Sequence, residues 1–318
     1  MNTTLADSAP DSPRSDTAPA AKRPAAILLT LVRRELWEHR ALWLAPLAVA
    51  ALLALVAAIG RVHIDMEEAP DLTSESQRVA IFSIIQFVLA IPLYLVAVFV
   101  GSYYLLDCLY AERKDRSILF WKSLPVSDGL TVCSKLLVGL VIVPIGVFAL
   151  ALLAHLLYTA ILGARVSLGS LPPVFTWSTY EWLRTEAVMF LVTLFAVLWW
   201  APIAGYLLLV SAWVRRAPIL WSTLPFVLGP VLEWVAFGTH YVQGFINYRV
   251  FGIWGIVGVE HAVGIIVSKH GPHHPVGTAL EVLDFRRALT AIDLWLGLAV
   301  TAALVYAAIR IRRYRDDT

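Results

Sequence analysis

Two long runs without a single Asp, Glu, Lys or Arg constrain this chain more than any other feature: residues 79–106 and 136–164. A helix crossing the roughly 30 Å hydrocarbon core of a bilayer needs about 20 residues, and either run supplies them. Between the runs lies 107–135, DCLYAERKDRSILFWKSLPVSDGLTVCSK, which carries Arg113, Lys114, Arg116, Lys122 and Lys135 against Asp107, Glu112, Asp115 and Asp128. It reads as an aqueous loop joining two membrane helices. A loop this rich in Lys and Arg belongs in the cytoplasm.

Composition agrees. With 318 residues the chain is long enough for two soluble domains, but 59% hydrophobic and 15% charged residues describe an integral membrane protein. Among the 12 tryptophans, Trp37, Trp43, Trp121, Trp177, Trp182, Trp213 and Trp221 fall near predicted span ends, where interfacial belts form. Cys108 and Cys133 both sit in the 107–135 loop, so a reducing compartment and unpaired thiols are expected.

In chain order, residues 1–24 are Ala, Ser, Pro, Asp and Thr with almost no large apolar side chain, a disordered tail. Residues 25–40 place Ile27, Leu28, Leu31, Val32 and Leu36 on one helical face. Arg33, Arg34, Glu35, Glu38 and Arg40 occupy much of the rest, which predicts an amphipathic helix along the inner membrane surface. Spans follow at about 41–60, 79–106, 136–162, 187–214, 219–237 and 294–309, within a permease-like unit of 41–311, and 312–318 reads as a basic tail.

Charge sorting tests that layout. Every inner segment is Arg-rich: 22–40, 107–135, Arg215-Arg216, and Arg310 to Arg315. The outer segments hold only scattered Arg61, Arg78, Arg165, Arg184, Arg249, Lys269, Arg286 and Arg287. This predicts six helices with both termini in the cytoplasm. Residues 250–268 are apolar, but Gly252, Gly255, Gly258 and Gly264 interrupt them and Glu260-His261 sit mid-segment. A seventh crossing would put the Arg-rich tail on the wrong side, so this segment reads as a re-entrant or interfacial outer hairpin. The predicted fold class is therefore an all-α integral membrane protein.

Within the central loop, Ile118, Leu119, Phe120, Trp121 and Leu124 interleave with Arg116, Ser117, Lys122 and Ser123. That pattern predicts one or two helical turns stopped at Pro125, with Ser127 or Asp128 capping the next helix. Its apolar side either docks on a partner or lies on lipid headgroups. The acidic and basic residues after the second span, Ser123-Leu-Pro-Val-Ser127, and Lys135 opening the third span together resemble the ABC-2 type permeases. These are the membrane subunits of ATP-binding-cassette exporters. In that family this loop is the coupling helix, which docks on an ATPase subunit. The family's Asp-Gly-Thr ahead of the helix is Asp115-Arg116-Ser117 here, so the glycine is lost.

The resemblance implies docking through Glu112, Arg113, Asp115, Arg116, Phe120, Trp121, Lys122, Leu124 and Pro125. It implies a pathway along spans two and five, with Phe82, Phe87, Tyr94, Phe226 and Glu233 as candidates. It also implies a partner ATPase holding ATP and Mg, and a second permease copy or paralogue beside this one. The setting is the bacterial inner membrane, the cargo exported and amphiphilic, and no nucleic acid takes part.

Other chemistries find little support. There is no G-x-x-x-x-G-K-[ST], H-E-x-x-H or G-x-S-x-G, so no P-loop, zincin site or nucleophile elbow, and the chain is read as a non-catalytic subunit with no cofactor. His270, His273 and His274, with Glu260 and His261 upstream, are candidate zinc or copper ligands. Gly271, Pro272 and Pro275 suit a solvated turn instead, and no metal is expected. Among ionisable groups at span depth, His155 is expected to be hydrogen-bonded between helices and Glu233 to face an outer loop. Glu186 and Asp293 sit at predicted span ends with no special role. The alternative function is an ATP-independent carrier or assembly scaffold, possible metal handling falling to the outer histidines.

Overall fold

The computed structural model describes residues 24–60, 75–123, 126–169, 178–257 and 284–314. Among them regular structure is helical throughout: α1 (Pro24–Glu38), α2 (Ala41–Ile59), α3 (Glu75–Lys114), α4 (Ile118–Ser123), α5 (Asp128–Leu137), α6 (Val143–Ser167), α7 (Thr179–Trp213), α8 (Pro218–Phe237), α9 (Tyr241–Val257), α10 (Phe285–Thr290) and α11 (Ile292–Tyr314). A short π-helical stretch, Val138–Ile142, joins α5 to α6 without a break. The predicted tail 1–23, the acidic segment 61–74, the outer segment 258–283 with its histidines, and residues 315–318 lie outside the described residues.

Six helical runs are long and apolar enough to cross a membrane: Ala41–Ile59, Ile85–Lys114, Asp128–Ser167, Thr179–Trp213, Pro218–Phe237 and Ile292–Tyr314. The chain is thus a multi-pass membrane protein, helical throughout its described regular structure, with each span's backbone satisfied inside its own helix. The helix ends differ from the hydropathy boundaries. α3 runs on past residue 106 to Lys114, and α11 past 309 to Tyr314. α7 starts at Thr179 rather than near 187, because Ser178 caps it: its Oγ accepts from Glu181 N at 3.3 Å.

The core is built around α3 and α7. Leu93, Ala97, Leu105 and Leu109 of α3 pack with Val143, Val147 and Ala151 of α6, Ala204 and Leu208 of α7, and Val305 and Ala308 of α11. Small residues let the backbones approach, as expected where lipid offers no hydrophobic drive between helices. A Cβ on Gly205 would sit 3.4 Å from Leu304 Cβ, and one on Gly101 would lie 3.7 Å from the Gly139 carbonyl oxygen. α8 is the loosest span, with Ser222 its one buried residue. It is held at its start where the Tyr206 hydroxyl donates to the carbonyls of Trp221 and Ser222 at 3.3 and 3.2 Å.

α9 covers the first part of the segment read as an outer hairpin, and its second part lies outside the described residues. Glu233 starts α9: its carboxylate accepts from Thr239 Oγ1 at 2.7 Å, Tyr241 N at 2.7 Å and Val242 N at 2.6 Å. α9 then leans on the middle of α7, whose Trp199 and Trp200 indoles donate to the carbonyls of Arg249 and Val250 at 2.9 and 3.0 Å. The Arg249 guanidinium lies 4.5 Å over the Trp199 ring, in space that Gly297 leaves open. Burial pulls the Arg249 pKa below its ordinary value. Asp293, expected to have no role, accepts from the Tyr248 hydroxyl at 2.8 Å and ties α9 to the start of α11.

Candidate functional site

The 107–135 segment is not a slack loop but a helical hairpin clamped at its base. α3 carries through Leu109, Glu112 and Arg113 to Lys114, and the chain then reverses over three residues. Asp115 N donates to the Ala111 carbonyl at 2.9 Å and Ser117 Oγ to the Glu112 carbonyl at 3.3 Å. Arg116 turns the corner with φ 58°, in the left-handed region. That is the position where the resembled family carries glycine. The residue differs, yet the backbone keeps the conformation glycine favours, at about 1–2 kcal/mol for an L-residue. Arg116→Gly is accordingly expected to raise thermal stability slightly, by up to about 1 kcal/mol, read as a higher unfolding temperature in detergent. A clear drop would mean that the side chain, not the backbone, holds the corner.

α4 follows at once, a single short helix with Ile118 half-buried and Phe120 60% exposed. Trp121 and Lys122 belong to α4, while Leu124 and Pro125 lie outside the described residues. The chain re-enters the bundle at Ser127, whose Oγ accepts from Leu130 N at 3.3 Å and caps α5.

At the base of the hairpin lies a buried network of charges drawn from four helices. Lys135 of α5 donates to Glu35 Oε1 of α1 at 2.8 Å, and its Nζ lies 3.1 Å from Glu112 Oε1 of α3, an ion pair without hydrogen-bond alignment. The other Glu112 oxygen accepts from Arg312 Nη1 of α11 at 2.5 Å, and Arg312 Nε donates to Asp128 Oδ1 at 3.1 Å. Tyr104 Oη donates to Glu35 Oε2 at 2.9 Å. Glu35, Glu112, Lys135 and Arg312 are each buried. Charges taken out of water survive only when paired and hydrogen-bonded, and here each buried one meets an opposite charge. His39 edges the cluster, its ring against Tyr104 at 4.8 Å. Burial lowers the His39 pKa, and the Glu35 carboxylate pulls it back only in part.

This network revises several sequence readings. Glu35 belongs to the inward side of α1 beside Leu31 and Val32, not to the solvated face, because Lys135 waits there. Arg312 is a buried helical residue rather than part of a basic tail. Glu112 faces the interior, and Arg113 Nη2 donates to the Ser211 and Val214 carbonyls at 2.6 and 2.8 Å, closing the end of α7. Of the residues named for docking whose side chains are described, Asp115, Arg116 and Phe120 lie on the surface. Glu35, Glu38 and His39 form a cluster spaced for a metal ion, but both Glu35 oxygens are taken by Lys135 and Tyr104.

The pathway candidates do not converge on one site. Phe82 is buried, and Tyr94 bonds Thr193 at 2.6 Å inside the bundle. Phe87 is half-buried on the same helix. Phe226 stands apart on α8, where it helps line an open cleft of about 460 Å³ with Pro230, Trp234, His240, Gln243 and Asn247. Glu186, read as an ordinary span-end residue, is buried two turns inside α7 against His155, at 2.6 Å. The Ser178-x-x-Glu181 capping pattern is the sequence signal that would have put the helix start ahead of Glu186. Comparison with family models, with curated proteins and with solved structures finds no match to this chain.

Proposed function

We propose that this chain is the permease subunit of an ABC-2 type exporter, moving an amphiphilic substrate across the bacterial inner membrane with ATP hydrolysed by a separate ATPase. The observation that carries the reading is the clamp at the base of the 107–135 hairpin. α4 hangs between the ends of two span-length helices, and buried ion pairs join those ends to α1 and α11. A push on α4 therefore reaches four helices together, which is what a coupling helix requires. Closure of an ATPase pair against α4 would bias the bundle between two arrangements. In this reading Asp115, Arg116 and Phe120, with Trp121, Lys122, Leu124 and Pro125, form the docking strip. Glu112 and Arg113 position it from within. Six spans supply half of a pathway, so a second permease copy or paralogue completes it.

Tagged chain purified from its native cells in mild detergent is expected to bring down a polypeptide with a P-loop. The double substitution Trp121→Glu/Leu124→Glu is expected to reduce that recovery by about tenfold or more, the loss of at least 1.4 kcal/mol of binding. The chain's own yield and elution should stay unchanged. Equal recovery with both proteins, or none with wild type, would move an ATP-independent carrier or scaffold ahead of this reading.

A further inference from the structure

Away from the 107–135 hairpin, three helices bring polar side chains together inside the spans. His155 of α6 is fully buried at 0% exposure and Glu186 of α7 is 3% exposed. Their Nδ1 and Oε1 atoms lie 2.6 Å apart, within hydrogen-bond distance, the donor being set by the imidazole tautomer. His155 Nε2 and Glu186 Oε2 are then left without a hydrogen-bond partner among the described residues. The same holds for Gln86 Nε2 of α3 and Tyr158 Oη of α6, one turn beyond His155, and both side chains are 2% exposed. A buried polar group left unsatisfied is costly. Several together in a native bundle point to water or an ion that they hold.

The surroundings define which. Ser83 and Thr185 share a hydrogen bond at 3.1 Å and Tyr94 and Thr193 one at 2.6 Å, extending a polar row along the α3–α7 seam. Toward the hairpin end the row stops at apolar Leu93, Ala97 and Leu208. Among the described residues the ionisable groups facing the pair are Tyr94 from α3 and Tyr158 from α6; α2 contributes none, and Asp293 of α11 is taken by the Tyr248 hydroxyl at the start of that helix. Glu181 and Arg184 lie nearer the start of α7, and Arg165 is turned to the Ala57 and Gly60 carbonyls at 3.0 and 2.8 Å.

We propose that His155 and Glu186 form a proton-binding site inside the bundle, with Gln86 and Tyr158 holding the water that delivers the proton. A hydronium ion gives its proton to His155 Nε2 and leaves as water. The imidazole becomes an imidazolium, and the Glu186 carboxylate at Nδ1 balances the new charge. The pair thereby passes from net negative to neutral, the form a low-dielectric interior accommodates, and α6 is drawn to α7. This site does not depend on a partner ATPase.

The test is solid-state NMR of the full chain in lipid nanodiscs, labelled with nitrogen-15 histidine. One histidine signal, missing from His155→Asn, should show a protonated Nδ1 and a bare Nε2 in alkaline buffer, and both nitrogens protonated in mildly acid buffer. In Glu186→Gln, Nε2 should stay bare over the same range. If His155→Asn does not fold, the signal is assigned in wild type through its coupling to carbon-13 Glu carboxyl. A wild-type Nε2 in the same state in both buffers makes the pair a fixed structural hydrogen bond and overturns the proposal. So does a Glu186→Gln protein that responds as wild type does.

Discussion

Replacing Lys135 with alanine is expected to cost about 3–5 kcal/mol of stability, the loss typical when one partner of a buried ion pair is removed. Lys135 is 1% exposed and sits between Glu35 and Glu112, whose carboxylates it neutralises from two other helices. Without it Glu35 keeps only the Tyr104 hydroxyl and a His39 ring 3.7 Å away, and burial disfavours charging that ring. The measurement is thermal unfolding in detergent, where the loss corresponds to a fall of roughly 10 °C. Neutralising both members, Glu35→Gln with Lys135→Met, should recover most of it, because Glu112 retains Arg312. A Lys135→Ala protein that melts with wild type would mean that water reaches the network, and the hairpin clamp would lose its basis.

The second large effect is steric. Gly139 lies buried in the Val138–Ile142 π-helical stretch where α3 crosses it, and a Cβ there would meet Leu105 Cγ and Cδ2 at 2.7 Å. Gly139→Leu is expected to destabilise by about 1–3 kcal/mol through overpacking. Leu105→Ala in the same chain should restore part of the loss, because it empties the space the new side chain needs. The double-mutant cycle is the check: additive effects would show that the two positions do not share that space. The geometry also bears on the clamp, since the same π-helical stretch carries α5 and Lys135 into α6.

Legibility in the sequence follows the range of the interaction responsible. The six spans could be read because a membrane helix satisfies its backbone locally, so a run of apolar residues is already a structural statement. The corner before α4, its brevity and the Ser127 cap were local too. The left-handed φ of 58° at Arg116 was not legible, because nothing in an arginine announces it.

The charged residues were legible as charges but not as neighbours. Glu35 and Lys135 are a hundred residues apart and Glu112 and Arg312 two hundred, so no periodicity could pair them. Hydropathy placed Glu35 and Arg312 in water, the default for a charge without a visible partner. Glu112 and Arg113 were expected to meet an outside protein, yet their side chains meet α5, α11 and the end of α7. His155 stood out by its depth in an apolar run. Its partner did not, because Glu186 sits at the edge of its own run and only the start of α7 at Thr179 carries it inside. The sequence by itself thus determined an all-helical chain with six membrane-length helices, through free energies paid residue by residue in lipid. Which charges are buried, and against what, was decided by the tertiary structure alone, because a buried charge is tolerated only where a distant segment brings its counter-charge.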